Sequence, residues 1–234
     1  MKPIITAFDW VPPFAQGQVR DLRVRWALEE VEQPYDVVYL AQGEQKHAAH
    51  RDRQPFGQVP TYQHGDLALF ESGAIVMHIA EVHGGLLPVD RAGRARAIEW
   101  MFAALNTIEP PITDLAIAGI FEADKPWSKP RIPAIRARIG ERLRELSDRL
   151  GAQAWLDGNI FTAGDLLMAA VLRSVAGDGL IEEHDNLAAY VQRAEARPAF
   201  RRALDAQMAG FTGKAPPTFA AWLEKQQQQQ EQTA

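Results

Sequence analysis

The pattern of apolar and polar positions divides the chain into a mixed first third and a helical remainder. Ile4-Ile5-Thr6-Ala7-Phe8 is a short β-rich run, halted by Asp9 and the Pro12-Pro13 pair. From Pro13 to about Glu32 the period turns helical. Val19, Leu22 and Trp26 recur at spacings of three and four, with Arg20, Asp21, Arg23 and Arg25 between them. Pro13 suits a first helical turn, where its missing N–H is no loss, and Gln33-Pro34 ends the run. Tyr35 to Leu40 reads as a second strand, so the segment predicts a βαβ unit with parallel strands. Ala41 to Gln54 is polar and histidine-rich, a loop with a short irregular helix. Val59 to Tyr62 and Leu67 to Phe70 flank His64-Gly65-Asp66 as the arms of a hairpin. Ser72 then opens a helix to about His83, with Ile75, Ile79 and Val82 on one face.

Beyond Gly84-Gly85 every periodic segment is helical. Gly84-Gly85-Leu86-Leu87-Pro88 and Asp90 form a linker, followed by a helix from about Arg91 to Thr107 that Pro110-Pro111 ends. Ile112 to Phe121 predicts another helix, closed by a loop from Asp124 to Pro133. Ile135, Ile139, Leu143, Leu146 and Leu150 make a three-four stripe, and Gly151 fits the C′ position after it. Thr162 to Val175 and Leu187 to Arg197 complete a helical bundle. The expected organisation is a mixed α/β domain over 1–84, a linker over 85–90 and an all-α domain over 91–222. The Gln-rich end, 223–234, reads as a disordered tail.

Composition narrows the function. The 234 residues are 47% hydrophobic and 24% charged, ordinary for a globular chain, and the net charge of -5 gives no footprint for nucleic acid. Cysteine is absent, which excludes disulfides, thiolate metal sites and a cysteine nucleophile. With no secretory signal and no apolar run near the roughly 20 residues that span a bilayer, a cytoplasmic home without membrane attachment is expected. His47, His50 and His64 match no metal template, so no metal is expected.

Chemistry concentrates in two short segments. Gln54-Pro55-Phe56-Gly57-Gln58-Val59-Pro60 leads into the hairpin, and Glu71-Ser72 stands between its second arm and the next helix. Ser72 reads as an N-cap beside free first-turn N–H groups that suit an anion, while the Glu71 carboxylate suits an ammonium. A capping serine with an incidental acid is the plainer alternative. Pro60 has two readings as well, a cis-proline or a proline at the start of an edge strand. Gly84 to Pro88 with Arg94-Ala95 and Trp100, the capping box Thr162-Ala163-Gly164-Asp165, and Arg197-Pro198-Ala199-Phe200 follow in order.

Together these segments resemble the cytosolic glutathione transferase superfamily, over about residues 3 to 205. The resemblance implies a thioredoxin-like βαβββα domain joined to an all-helical one. It implies a cis Pro60, with Val59 pairing the cysteinyl backbone of glutathione and Gln58, Val59, Pro60, Glu71 and Ser72 forming its site. It also implies glutathione as co-substrate, a small hydrophobic electrophile as second substrate, and a homodimer. Thr162 and Asp165 take a structural role. Trp100, Met101, Leu105 and Asn106, on the helix that faces the cleft in this family, are candidates for the apolar pocket, together with Phe14. Phe211, Phe219 and Trp222 are candidates to cover it or to pack the domain interface. Lys46 or a loop histidine could meet the glycyl carboxylate, or the loop is simply solvated.

The chain departs from the family at the reacting sulfur. Members commonly place a Tyr, Ser or Cys near the first strand's end or the first helix's start, and none occurs between Phe8 and Trp26. Two registers compete. If Pro13-Phe14-Ala15-Gln16 marks the helix start, Pro12 occupies that position; if Arg23 to Glu30 sets the register, it falls near Gln18. The first is preferred here, with thiolate stabilisation from backbone N–H groups and from Trp10, Gln16 or Arg20, Trp10 first. Trp10 as a packing residue is the alternative. Three functions therefore stand: a glutathione transferase, a glutathione-dependent disulfide or peroxide reductase, and a non-catalytic binding or regulatory protein.

Overall fold

The computed structural model describes residues 1–217 and 219. Trp222 and the Gln-rich end lie outside the described residues. In the first third, β1 (Ile4–Phe8) runs parallel to β2 (Asp36–Leu40), from Ile4 opposite Asp36 to Phe8 opposite Leu40. β3 (Thr61–His64) lies antiparallel on the other side of β1, and β4 (Leu67–Phe70) forms the edge, giving the order β2-β1-β3-β4. Helix α1 (Asp21–Glu30) makes the crossover, α2 (Ala48–Arg51) lies in the polar loop and α3 (Ser72–His83) follows the hairpin. The fold is therefore the mixed-sheet domain with a helical partner that the sequence predicts.

The first helix starts later than Pro13, where the sequence reading places it. Pro13–Ala15 is a 3-10 turn, and the chain then breaks at Gly17, whose φ is 75°. That left-handed angle suits glycine and is costly for residues with a Cβ. α1 begins at Asp21, about two turns beyond Pro13. The preference for Pro13 as helix start is thus corrected, since the turn formed there is separate from α1.

The helical part comprises α4 (Arg91–Ala103), α5 (Glu109–Ala116), α6 (Ser128–Leu150), α7 (Ala163–Leu172), α8 (Asp185–Glu195) and α9 (Pro198–Ala209). Pro110-Pro111 does not end the helical path. A π-helical turn over Ala104–Ile108 joins α4 to α5, and the Glu109 N–H donates to the Ala104 carbonyl, five residues back. The two prolines sit in the first turn of α5, where the missing donors are tolerated. A second π turn, Ile117–Phe121, extends the path. α6 starts at Ser128 and contains Pro133, so the expected loop from Asp124 to Pro133 is shorter than its composition suggests.

α7 is buried nearly all round and anchors the bundle. Asp165 reaches back to the Thr162 N–H at 2.9 Å, accepts the Leu156 N–H at 2.8 Å, and receives the Tyr190 hydroxyl at 3.1 Å. Thr162 and Asp165 thus hold the helix entry. Between the halves, α1 lies against α9, and the wholly buried Trp26 stacks edge-on to Phe200 with centroids 4.8 Å apart. Arg197 forks onto Glu30 and Arg202 onto Glu29 across the same boundary. Among the described residues no helix is long and apolar enough to cross a membrane.

Candidate functional site

Two adjoining cavities open where the sheet domain meets α5. The smaller, about 320 Å³, has Gln58, Val59 and Pro60 on one wall and Glu71 and Ser72 on another. All five expected glutathione-site residues therefore come together. The Val59-Pro60 bond is cis, as the resemblance implies. Val59 lies outside both strand ladders, so its N–H and C=O are not spent on sheet pairing. His50, nearly buried, donates from Nε2 to the Gln58 carbonyl at 2.6 Å, and that acceptor fixes the proton on Nε2. His50 is thus a brace behind the loop.

At Glu71 and Ser72 the expected cap is shifted by one residue. Glu71 occupies the N-cap position of α3, and Ser72 is the first helical residue. Glu71 has φ 67° and ψ 116°, a left-handed angle that a non-glycine residue adopts at a cost of about 1–3 kcal/mol. The surrounding turn therefore holds the Glu71 carboxylate at the cavity against its own backbone preference. The N-terminus of the 12-residue α3 faces the same space and offers unpaired N–H groups to an anion. An amino acid end, with ammonium and carboxylate side by side, matches this pair of groups.

The larger cavity, about 930 Å³, runs on past Val59. Its apolar wall comes from Ile112, Leu115, Ile120 and Phe121, completed by Ile132 and Val175. This differs from the expected pocket. Leu105 and Asn106 line the smaller cavity, but Trp100 and Met101 face elsewhere. Met101 is buried in the core, and Trp100 sits against Gly164 of α7 and beneath the Arg149 guanidinium. The α4 face carrying them is consumed by packing on α7. Phe14 is 44% exposed and lines neither cavity.

Among the expected catalytic candidates the structure separates Arg20 from the other two. Trp10 packs its ring edge-on to Phe219 at 5.0 Å and lines neither cavity, so its nearness to the strand end in sequence does not bring it to the site. Gln16 also lies outside both, and Gln18 lines the larger one. Arg20 lines both. So do Arg23, Gln58, Val59 and Glu109, and these five residues mark the junction of the cavities.

That junction is charged. Arg20 donates to Glu109 Oε1 from Nε at 3.1 Å and Nη2 at 2.8 Å. Arg23 spans both carboxylate oxygens, at 2.9 and 3.2 Å, and its Nη1 also approaches Ser72 Oγ at 3.4 Å. Burial alone would raise the Glu109 carboxyl, but Arg23 and then Arg20 outweigh it and hold it below the usual glutamate range. Sequence reasoning did not identify Glu109 or Arg23 as site residues. The available signal was an acid placed immediately before two prolines. Among the described residues no cluster of three or more His, Cys, Asp or Glu side chains suits a metal ion.

Comparison with known proteins gives one family. The family model for the glutathione S-transferase N-terminal domain matches residues 14–81. Glutathione S-transferase GstA from Escherichia coli O157:H7 is 30% identical over 158 residues, covering 65% of this chain and 75% of the relative. Glutathione S-transferase F11 from Arabidopsis thaliana is 28% identical over 195 residues, 78% of this chain and 91% of its own. Among solved structures, the theta class glutathione S-transferase from Xanthomonas axonopodis pv. citri with glutathione bound superimposes with a TM-score of 0.72. It is 28% identical and covers 86% of this chain and 96% of that one.

Proposed function

Because this chain belongs to the glutathione S-transferase family, we propose that it binds glutathione in the smaller cavity and directs the thiolate at a hydrophobic electrophile held in the larger one. The observation that carries this reading is the junction: one charged spot, flanked by an amino-acid-shaped polar wall on one side and an apolar wall on the other. In this account Glu71 takes the γ-glutamyl ammonium, while Ser72 and the start of α3 take its carboxylate. The free N–H and C=O of Val59 pair with the cysteinyl backbone as an added strand would. The sulfur then lies at the junction, next to the guanidinium of Arg20.

A free thiol is mostly protonated at neutral pH, and nearby cations favour its thiolate. Arg20 takes this place among the sequence candidates, and Trp10 and Gln16 do not. The thiolate sulfur attacks the electrophilic carbon, a C–S bond forms and the leaving group departs with its electron pair. Ile112, Leu115 and Phe121 hold the apolar body of the electrophile. The family resemblance supports a second copy of the chain as partner, and Phe56, 60% exposed, with Phe70 edge-on at 6.2 Å, is an apolar pair open to it.

Calorimetric titration tests the placement. Glu71→Gln and Ser72→Ala should each weaken glutathione binding about 10- to 100-fold, the loss of a charge-assisted hydrogen bond, with thermal stability preserved. Unchanged affinity in both variants would show that the γ-glutamyl end binds elsewhere.

A further inference from the structure

The charge at the junction is shared between domains. Arg20 and Arg23 come from the sheet domain, and Glu109 comes from the helical one. The Glu109 carboxylate is only 14% exposed and is committed to both guanidinium groups at once. Arg23 is nearly buried, while Arg20 remains 46% exposed at the open end of the network. The remaining charges around the two cavities balance. Lys46, bonded to the Phe56 carbonyl, and Arg136, bonded to the Asp178 carbonyl, stand against Glu71 and the Asp178 side chain. Two guanidinium groups and one carboxylate therefore leave the junction with a single surplus positive charge.

We propose that Glu109 is a positioning and charge-setting residue for the thiol: it orients Arg20 and Arg23 across the domain boundary and limits the positive charge that glutathione sulfur meets there. This inference rests on the placement of glutathione given above. Its physical basis is the distance. A carboxylate this close to two cations cancels much of their field at any third site near them, because the field of an ion pair decays faster than that of a lone ion. Removing the carboxylate charge while keeping its shape leaves both guanidinium groups in the same cleft with nothing to offset them. A π turn over Ala104–Ile108 directly precedes Glu109, whose N–H donates to the Ala104 carbonyl.

The test measures thiolate absorbance of bound glutathione in the full-length protein as a function of pH, with S-methylglutathione as the thiol-free reference. Glu109→Gln should lower the apparent pKa of the bound thiol by about one unit, as expected for an added net charge near a partly solvated group. Arg20→Gln should raise it, and the double variant should return close to the wild-type value. A Glu109→Gln protein that binds glutathione with an unchanged or raised thiol pKa would overturn the proposal. Should that variant fail to fold, Arg20→Gln carries the test alone, and an unshifted thiol pKa overturns it. Glutathione affinity that is unchanged in both Glu71→Gln and Ser72→Ala would instead defeat the underlying placement. The two failures are thus distinct.

Discussion

At the scale of single residues, the site is built from groups whose positions their surroundings dictate. Glu71 is held at a left-handed φ, and Val59 keeps its backbone groups out of the ladders. His50 fixes the carbonyl of Gln58, and Glu109 divides one carboxylate between two arginines. His50 gives a direct prediction. Phenylalanine at this position fills the space but cannot donate to the Gln58 carbonyl, whereas glutamine can. His50→Phe should weaken glutathione binding about 5- to 10-fold, in line with roughly 1 kcal/mol for one hydrogen bond, and His50→Gln should recover part of it. Titration calorimetry reads this, and equal affinity in the three proteins would show that the brace does not matter for binding.

The residue scale also shows what the sequence could reveal. Gln58-Val59-Pro60 and Glu71-Ser72 were legible as local motifs through the family resemblance, although the cap falls on Glu71 and not on Ser72. Glu109 was not legible, because its partners lie 86 and 89 positions away and no local rule pairs them. For Trp10 it is the packing reading that fits. Its nearness to the strand end in sequence says nothing about where its ring turns, and the ring turns to Phe219.

At the scale of elements, periodicity located nearly every helix and strand but misjudged junctions. The three-four run of Val19, Leu22 and Trp26 begins only after Gly17; the start at Pro13 rested on the proline, and the 3-10 turn there buries none of its residues. Pro110-Pro111 looked like a stop, yet the preceding π turn lets the chain pass. Packing of α4 on α7 decides which α4 residues are free to line a cavity. Gly164 is the closest point of that packing: a Cβ there would lie 2.6 Å from the Trp100 Cβ and 2.9 Å from the Ala97 carbonyl oxygen. Neither atom can swing away. Gly164→Ala should therefore cost about 1–3 kcal/mol of stability, seen as a lower urea midpoint. A midpoint equal to wild type would mean that α4 and α7 are not held this closely.

At the scale of the whole molecule, the site exists because two differently built halves meet. The sheet domain contributes the polar wall, α5 and its neighbours contribute the apolar one, and neither half alone forms the junction. The α1–α9 contact, with Trp26 against Phe200 and the ion pairs to Arg197 and Arg202, fixes the halves at the far side. Glu109 ties them at the near side. The helical half was readable as a bundle from its stripes, but its contribution to the cleft was not, because the face a helix offers depends on partners distant in sequence.

The most direct test of the central claim is a crystal structure with glutathione bound, read at the sulfur atom. The account predicts the γ-glutamyl group on Glu71 and Ser72, the cysteinyl backbone on Val59, and the sulfur at the junction near Arg20, facing Ile112 and Leu115. A sulfur directed away from the junction, toward Trp10, or a tripeptide lying outside the Val59 and Ser72 walls, would contradict it.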